Sequence, residues 1–192
     1  MKVETTHIPG VLIVEPVIFS DDRGFFWESF NEKEMHRIGI DAHFVQDNHS
    51  RSQCNVLRGL HYQISQPQGK LVRVVTGKVF DVAVDIRRDS PTFGKWAGVE
   101  LSDENKRMCW LPPGIAHGFV VLSDFADFLY KTTDYYAQRY ARTILWNDPD
   151  LGIAWPFTGQ PILSAKDAAA ITFSKAEVFE KGFLRKGANA EH

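Results

Sequence analysis

Leu71-Val72-Arg73-Val74-Val75, then Thr76-Gly77-Lys78, then Val79-Phe80-Asp81-Val82-Ala83-Val84-Asp85-Ile86 is the stretch on which the fold turns. Two runs rich in valine flank a tight connection containing glycine, the pattern of a β-hairpin. In the second arm Val79, Asp81, Ala83 and Asp85 alternate with Phe80, Val82, Val84 and Ile86. Successive side chains of a strand point to opposite faces, so a period of two predicts a strand with one buried face. Outward from this hairpin, further strands are predicted over 10–18, 23–30, 56–63, 96–101, 106–111, 118–122 and 127–136. Asp22-Arg23-Gly24, Ser90-Pro91 and Pro112-Pro113-Gly114 supply turns between them. Many short strands at this spacing predict an all-β sandwich or barrel.

Helices are few. Asn31-Glu32-Lys33-Glu34 is a capping box that opens a short helix, which Gly39 ends. Ser174-Lys175-Ala176-Glu177 repeats the signal near the C-terminus. The length of 192 residues suits one domain, read as 1–180, with 181–192 as a frayed, charged tail. A hydrophobic fraction of 44% and a charged fraction of 24% exclude disorder, collagen-like repeats and a coiled coil. A net charge of −2 gives no general attraction to nucleic acid. No apolar run approaches the roughly 20 residues that span a bilayer, and the opening MKVETTHIPG lacks the apolar core of a signal peptide. Cys54 and Cys109 are too few for a disulfide framework and lack metal-ligand spacing. A soluble, cytoplasmic protein with no nucleic-acid or membrane partner is the expectation. The aromatic fraction of 12% is high; packing of a β-rich core accounts for most of it, and planar ligands also stack on such rings.

Of seven histidines, two sit in unusual contexts: His61 in Arg58-Gly59-Leu60-His61-Tyr62-Gln63 and His117 in Pro112-Pro113-Gly114-Ile115-Ala116-His117-Gly118-Phe119. Gln46-Asp47-Asn48, Arg58, Lys70 and Asp85 lie within or beside predicted strands. Such residues are costly to bury without partners, and a polar-lined barrel interior would supply partners and a ligand site together. No Gly-rich phosphate loop and no Gly-x-Ser-x-Gly elbow is present, so Gly24 and Gly59 read as turn or bulge glycines. A regular strand would aim Arg58 and His61 at opposite faces. Gly59 is therefore expected to bulge, or Arg58 to reach around an edge.

The Pro113-x-x-x-His117 pattern is similar to that of cupins, small β-barrel proteins whose metal-binding members carry a His-x-His pair and a later Glu on one strand. Here the matching segment is His61-Tyr62-Gln63, which lacks the second ligand, so no metal is expected. More specifically, the chain resembles the dTDP-4-dehydrorhamnose 3,5-epimerase family. The resemblance rests on Phe19-Ser-Asp-Asp-Arg-Gly-Phe-Phe26, Gln46-Asp-Asn-His-Ser50, Asn55-Val-Leu-Arg-Gly-Leu-His-Tyr-Gln63 and Gly69-Lys-Leu-Val-Arg-Val74. It continues through Asp81-Val-Ala-Val-Asp-Ile-Arg87, Ser90-Pro-Thr-Phe-Gly94, Pro113 to Phe119, Tyr130-Lys-Thr-Thr-Asp-Tyr-Tyr136 and Leu163-Ser-Ala-Lys-Asp167. These matches run in family order from about residue 3 to 175.

The resemblance implies an antiparallel cupin-type jelly roll with a few short helices. It implies epimerisation, without a cofactor, at C3 and C5 of dTDP-4-dehydro-6-deoxy-D-glucose, giving dTDP-4-dehydro-L-rhamnose for dTDP-L-rhamnose biosynthesis. By resemblance His61 is the base, Asp167 its orienting partner, Tyr130 the opposing acid, and Lys70 the charge that offsets the enolate. Arg23, Arg58 and Lys166 are matched to the diphosphate, and Glu28, Gln46, Asp47 and Asn48 to the nucleoside. His117 is matched to the sugar and Tyr136 to base stacking. Read one at a time, Tyr130 is an interior strand tyrosine, Lys70 a strand-entry charge and Asp167 a cap on the turn 168–170; only jointly do they read as catalysis. The family also implies a homodimer with exchanged N-terminal strands, in which Arg23 or Glu28 serves the neighbour's pocket. One departure stands out: Ala141 occupies a position where the family commonly has Glu. It leaves open a 3- or 5-monoepimerase of another deoxysugar pathway. Outside enzymes the rival is a nucleotide-sugar-binding cupin without catalysis, against which the intact set of His61, Lys70, Tyr130 and Asp167 argues.

Overall fold

Thirteen strands and two short helices occur among the described residues, 1–157 and 159–183, of the computed structural model. In chain order they are β1 (Lys2–Thr5), β2 (Leu12–Glu15), β3 (Phe19–Asp21), β4 (Gly24–Phe26), α1 (Glu32–Arg37), β5 (Gln46–Gln53) and β6 (Leu57–Gln63). There follow β7 (Lys70–Thr76), β8 (Lys78–Asp85), β9 (Trp96–Ser102), β10 (Met108–Leu111), β11 (Ile115–Val121), β12 (Phe125–Thr132), β13 (Ala141–Thr143) and α2 (Ala165–Ala168). One sheet has six strands in the order β1-β2-β10-β7-β12-β5, the other five in the order β13-β6-β11-β8-β9, and β3 and β4 form a separate hairpin. The pairings within them are antiparallel. The expected jelly roll is present.

The 71–86 segment does form two adjacent strands, but they do not pair with each other. β7 joins the six-stranded sheet and β8 the five-stranded one, so Gly77 carries the chain across from sheet to sheet. The glycine is needed there. Its φ is +80°, and a Cβ would lie 2.1 Å from the Phe125 carbonyl oxygen.

Period-two alternation then sorts the side chains. Val72 and Val74 of β7, Val79 and Ala83 of β8, Phe119 of β11 and Phe128 of β12 fill the space between the sheets. Each large apolar side chain buried there contributes about 1.5–3 kcal/mol. One buried face was expected for β8, and this is corrected: on the face opposite Val79 and Ala83, Val82, Val84 and Ile86 pack with Leu60, Tyr62, Ile144, Leu151, Val178 and Phe179. The C-terminal segment covers that face, so β8 is buried on both sides. On the outer face of the six-stranded sheet, Leu71, Met108 and Trp110 meet Met35 and Ile40 of the segment around α1.

Local signals explain the helix. Asn31 Oδ1 accepts the Glu34 N–H (3.4 Å), and Gly39 at φ +88° lets Ile40 N–H reach the Met35 carbonyl (2.9 Å). Ser174-Lys175-Ala176-Glu177 does not start a helix, contrary to expectation; Phe173–Lys175 is a single 3₁₀ turn. Ser174 shares its hydroxyl with Thr172, and the Glu177 carboxylate is drawn to Arg142 instead of capping. The capping signal operates at Ser164, whose hydroxyl accepts the Asp167 N–H (3.1 Å) at the start of α2.

Strand β5, QDNHSRSQ, has no apolar residue and was not expected as a strand. It exists because β12 pairs with it over all eight of its residues. Asp85 belongs to no polar interior, a further correction: its carboxylate accepts from Arg87 Nε (2.8 Å), Ser90 Oγ (2.5 Å) and Thr92 Oγ1 (2.7 Å) in a buried knot. No helix among the described residues is long and apolar enough to cross a membrane. Of the expected tail, 184–192 lie outside the described residues.

Candidate active site

A cavity of about 340 Å³ opens between the two sheets. His61 on β6 and His117 on β11 approach it from the five-stranded sheet, Lys70 on β7 and Tyr130 on β12 from the six-stranded sheet. The strand period explains the choice: Lys70 follows the inward set Val72 and Val74, and Tyr130 follows Phe128.

Arg58 also lines the cavity, although three positions separate it from His61. Between them β6 slips against β11: Arg58 faces Phe119 and His61 faces His117, so Gly59 and Leu60 oppose Gly118 alone. This is the expected bulge, and it puts both side chains on the same face. Gly59 sits at φ +138°, and a Cβ there would lie 2.5 Å from Gly118 Cα. Arg58 Nε then donates to Ser52 Oγ on β5 (3.0 Å), tying the two sheets together beside the cavity.

His61 Nε2 lies 2.5 Å from Asp167 Oδ1. Asp167 is buried, and its other oxygen accepts from Ser164 Oγ (2.8 Å), so α2 fixes the carboxylate against β6. With the Nε2 proton donated to Asp167, the lone pair of His61 is on Nδ1. Burial lowers the His61 pKa below its ordinary value, outweighing the opposite pull of Asp167; Lys70 and Lys166 add to the lowering. Burial also raises the Tyr130 hydroxyl, against a smaller lowering by Arg58, with Tyr136 adding to the rise. At neutral pH one side of the cavity therefore holds a free imidazole and the other an intact phenol.

Lys70 is buried, with Nζ 3.3 Å from the His61 carbonyl oxygen. Burial brings its pKa down to about 8; Asp81 opposes that fall and Lys166 adds to it. Asp81 is a functional candidate that the sequence reading passed over. It accepts from His117 Nε2 (2.7 Å), the second histidine–carboxylate pair, while its Oδ1 has no hydrogen-bond partner among the described residues. The available signal was the alternation itself, because a carboxylate sharing a face with Val79 and Ala83 needs a buried partner. Arg58, Lys70, Arg142 and Lys166 line the cavity together, and no lining residue among those described carries a carboxylate. The site is built for an anion. No three His, Cys, Asp or Glu side chains converge as a ligand set among the described residues.

Residues 5–175 match the family model described as dTDP-4-dehydrorhamnose 3,5-epimerase. The chain belongs to this family. A Pseudomonas aeruginosa protein of that name is 58% identical over 180 residues, covering 93% of this chain and 99% of the relative. A Legionella pneumophila dTDP-6-deoxy-D-glucose-3,5-epimerase, solved in complex with dTDP-4-keto-L-rhamnose, superposes with TM-score 0.91 at 54% identity, over 93% of this chain and 97% of that one. A 3′-monoepimerase from Streptomyces bikiniensis, solved with dTDP-quinovose, has TM-score 0.88 at 35% identity, over 95% of each chain.

Against this epimerase background, the structure brings together at the cavity His61, Lys70, Tyr130, Asn48, Arg58, His117, Lys166 and Tyr136, with Asp167 behind His61. Gln46 stands at its rim, bonded to Asn48 Oδ1 (2.8 Å) and to the Tyr136 N–H (3.0 Å). Three expected residues lie elsewhere within one chain. Asp47 points to the outer face of the six-stranded sheet, where it pairs with Lys131 (2.9 Å) beside a second cavity lined by Phe30 and Arg73. Arg23 pairs with Asp21 on the exposed β3–β4 hairpin, and Glu28 accepts from Asn31 (3.2 Å). Ser50, Gln63, Gln68 and Arg142 line the cavity and were not singled out from the sequence; Ala141 lines it too, beside Arg142.

Proposed function

We propose that this chain epimerises C3 and C5 of dTDP-4-dehydro-6-deoxy-D-glucose to give dTDP-4-dehydro-L-rhamnose. The observation that carries the reading is the His61–Asp167 pair and the Tyr130 hydroxyl approaching one cationic cavity from facing sheets. Inversion beside a ketone requires removing a proton on one face of the ring and returning one on the other. His61 Nδ1 takes the proton from carbon, the electrons of the C–H bond move into the C4 carbonyl, and the enolate oxygen carries the charge. Asp167 holds the tautomer and stabilises the imidazolium that forms. Lys70 supplies positive charge for the enolate, and Tyr130 returns a proton to the opposite face. The same cycle at the second carbon completes the reaction. The substrate's own ketone is the electron sink, so the scheme calls on no cofactor.

With Lys70 given to the enolate, the other lining cations, Arg58, Arg142 and Lys166, match a nucleoside diphosphate. In the working assembly we place the chain as a homodimer whose β3–β4 hairpins bring Arg23 and Glu28 to the neighbouring cavity. The test is incubation with dTDP-4-keto-6-deoxyglucose in heavy water, followed by mass spectrometry and NMR. Two deuterons in an L-configured product are expected. One deuteron would mark a monoepimerase, a reading that the 35% identical Streptomyces bikiniensis structure keeps in view, and none would leave a binding protein.

A further inference from the structure

Gln63 stands where a metal-binding barrel would carry the second histidine of its His-x-His pair, and the reaction scheme gives it no task. Its side chain is nonetheless buried and bonded at both ends. Nε2 donates to the carbonyls of Gln66 (2.8 Å) and Tyr135 (3.3 Å), and Oε1 accepts the Ala137 N–H (2.7 Å). These groups belong to two loops, one joining β6 to β7 and one following β12. From the facing sheet Gln46 Oε1 accepts the Tyr136 N–H (3.0 Å), and from the β6–β7 loop Gln68 Nε2 donates to the Asp134 carbonyl (2.8 Å). Each residue from Asp134 to Ala137 thus has a backbone group held by a glutamine side chain.

Tyr136 lines the cavity while the residue is 57% exposed, so packing does little to fix the ring. We infer that Gln63 is a positioning residue for Tyr136, holding the loop so that the ring forms a fixed wall for the nucleotide. The inference rests on the proposed substrate. A side-chain amide has two N–H donors, and both of Gln63's are committed to loop carbonyls, leaving none for a ligand. Only an amide suits the position, because the loops present two acceptors and one donor. A carboxylate would face two carbonyls, and a histidine could not bridge all three groups. Gln66 sits at φ +52°, a conformation that residues other than glycine rarely adopt, and its carbonyl is one that Gln63 holds.

The experiment measures dTDP affinity by calorimetry, and KM and kcat for the keto sugar, in Gln63→Ala, Tyr136→Ala and the double variant. Gln63→Ala is expected to weaken dTDP binding about 10-fold, with the loss falling on KM rather than kcat. In the Tyr136→Ala background the same change should add nothing, because the ring that Gln63 positions is already gone. Gln63→Met, which keeps the side-chain volume, serves if the alanine variant fails to fold. Unchanged affinity, a loss that adds fully to that of Tyr136→Ala, or a fall in kcat at unchanged KM overturns the positioning role. So does failure of both variants to fold, which would make the amide a pin for the fold. Failure of the unmodified protein to bind dTDP overturns the substrate reading itself, and the proposal with it.

Discussion

His61 and Lys70 define the working pH window from opposite ends. The base must be neutral, and its pKa lies below the ordinary histidine value because of burial, so the acid limb of kcat/KM is expected below about 6.5. The buried ammonium must be charged, and its pKa of about 8 sets the alkaline limb. Asp167 raises the His61 pKa, so Asp167→Asn removes that support and should move the acid limb to still lower pH while activity falls through lost tautomer control. A pH profile of kcat/KM reads both; an acid limb that moves upward would refute the pairing as described. Tyr130→Phe removes the hydroxyl and keeps the ring. Deuterium should still enter through His61, while L-configured product falls by roughly 10²–10⁴-fold, as for a lost general acid. NMR reads label and configuration on one sample, and near-normal inversion would hand the acid role to water or another side chain.

At the scale of elements, β6 decides whether the site exists. The slip at Gly59 brings Arg58 to the face of His61, and it requires a backbone at φ +138° that presses to within 2.5 Å of Gly118 Cα where a Cβ would stand. Gly59→Ala is expected to cost about 3 kcal/mol of stability and most of the activity. Urea unfolding checks the first and the heavy-water assay the second; a loss of stability under about 1 kcal/mol would mean that the bulge relaxes without cost. This bulge was one of two arrangements the sequence left open, the other being Arg58 reaching around an edge; the glycine between two polar residues of one strand was its signal. Strand β5 was not legible. Its eight polar residues carry no apolar period, and what makes them a strand is hydrogen bonding to β12, a relation that no local pattern contains. The alternation marked Asp81 as a carboxylate in need of a partner, but which partner was hidden for the same reason, since His117 is 36 residues away on the neighbouring strand. That β8 is buried on both faces was likewise invisible, because part of its cover comes from near the other end of the chain.

At the scale of the whole molecule, the β3–β4 hairpin is out of keeping with the rest. It joins neither large sheet, and Phe19, Phe25 and Phe26 are 62%, 60% and 68% exposed. A two-stranded hairpin is marginal alone, and clustered exposed aromatics mark a surface that another protein covers. β1 and β2 pair within their own sheet, so β3–β4 is the N-terminal segment left to reach a neighbour. Among the described residues Arg23, at its tip, has Asp21 as its one ionic partner, and the cavity of its own chain does not include it. If the hairpin completes the site of a second copy, Arg23 and His61 of one chain serve different active sites. Arg23→Ala and His61→Asn should then each be strongly impaired alone. Mixed under conditions that let subunits exchange, they should recover activity, because each mixed dimer holds one cavity with both residues intact. Titrating one variant into the other and following deuterium incorporation gives the measurement. Activity that stays at the sum of the two separate variants, in samples shown by sedimentation to have exchanged, would place Arg23 in its own chain's site or outside the reaction altogether.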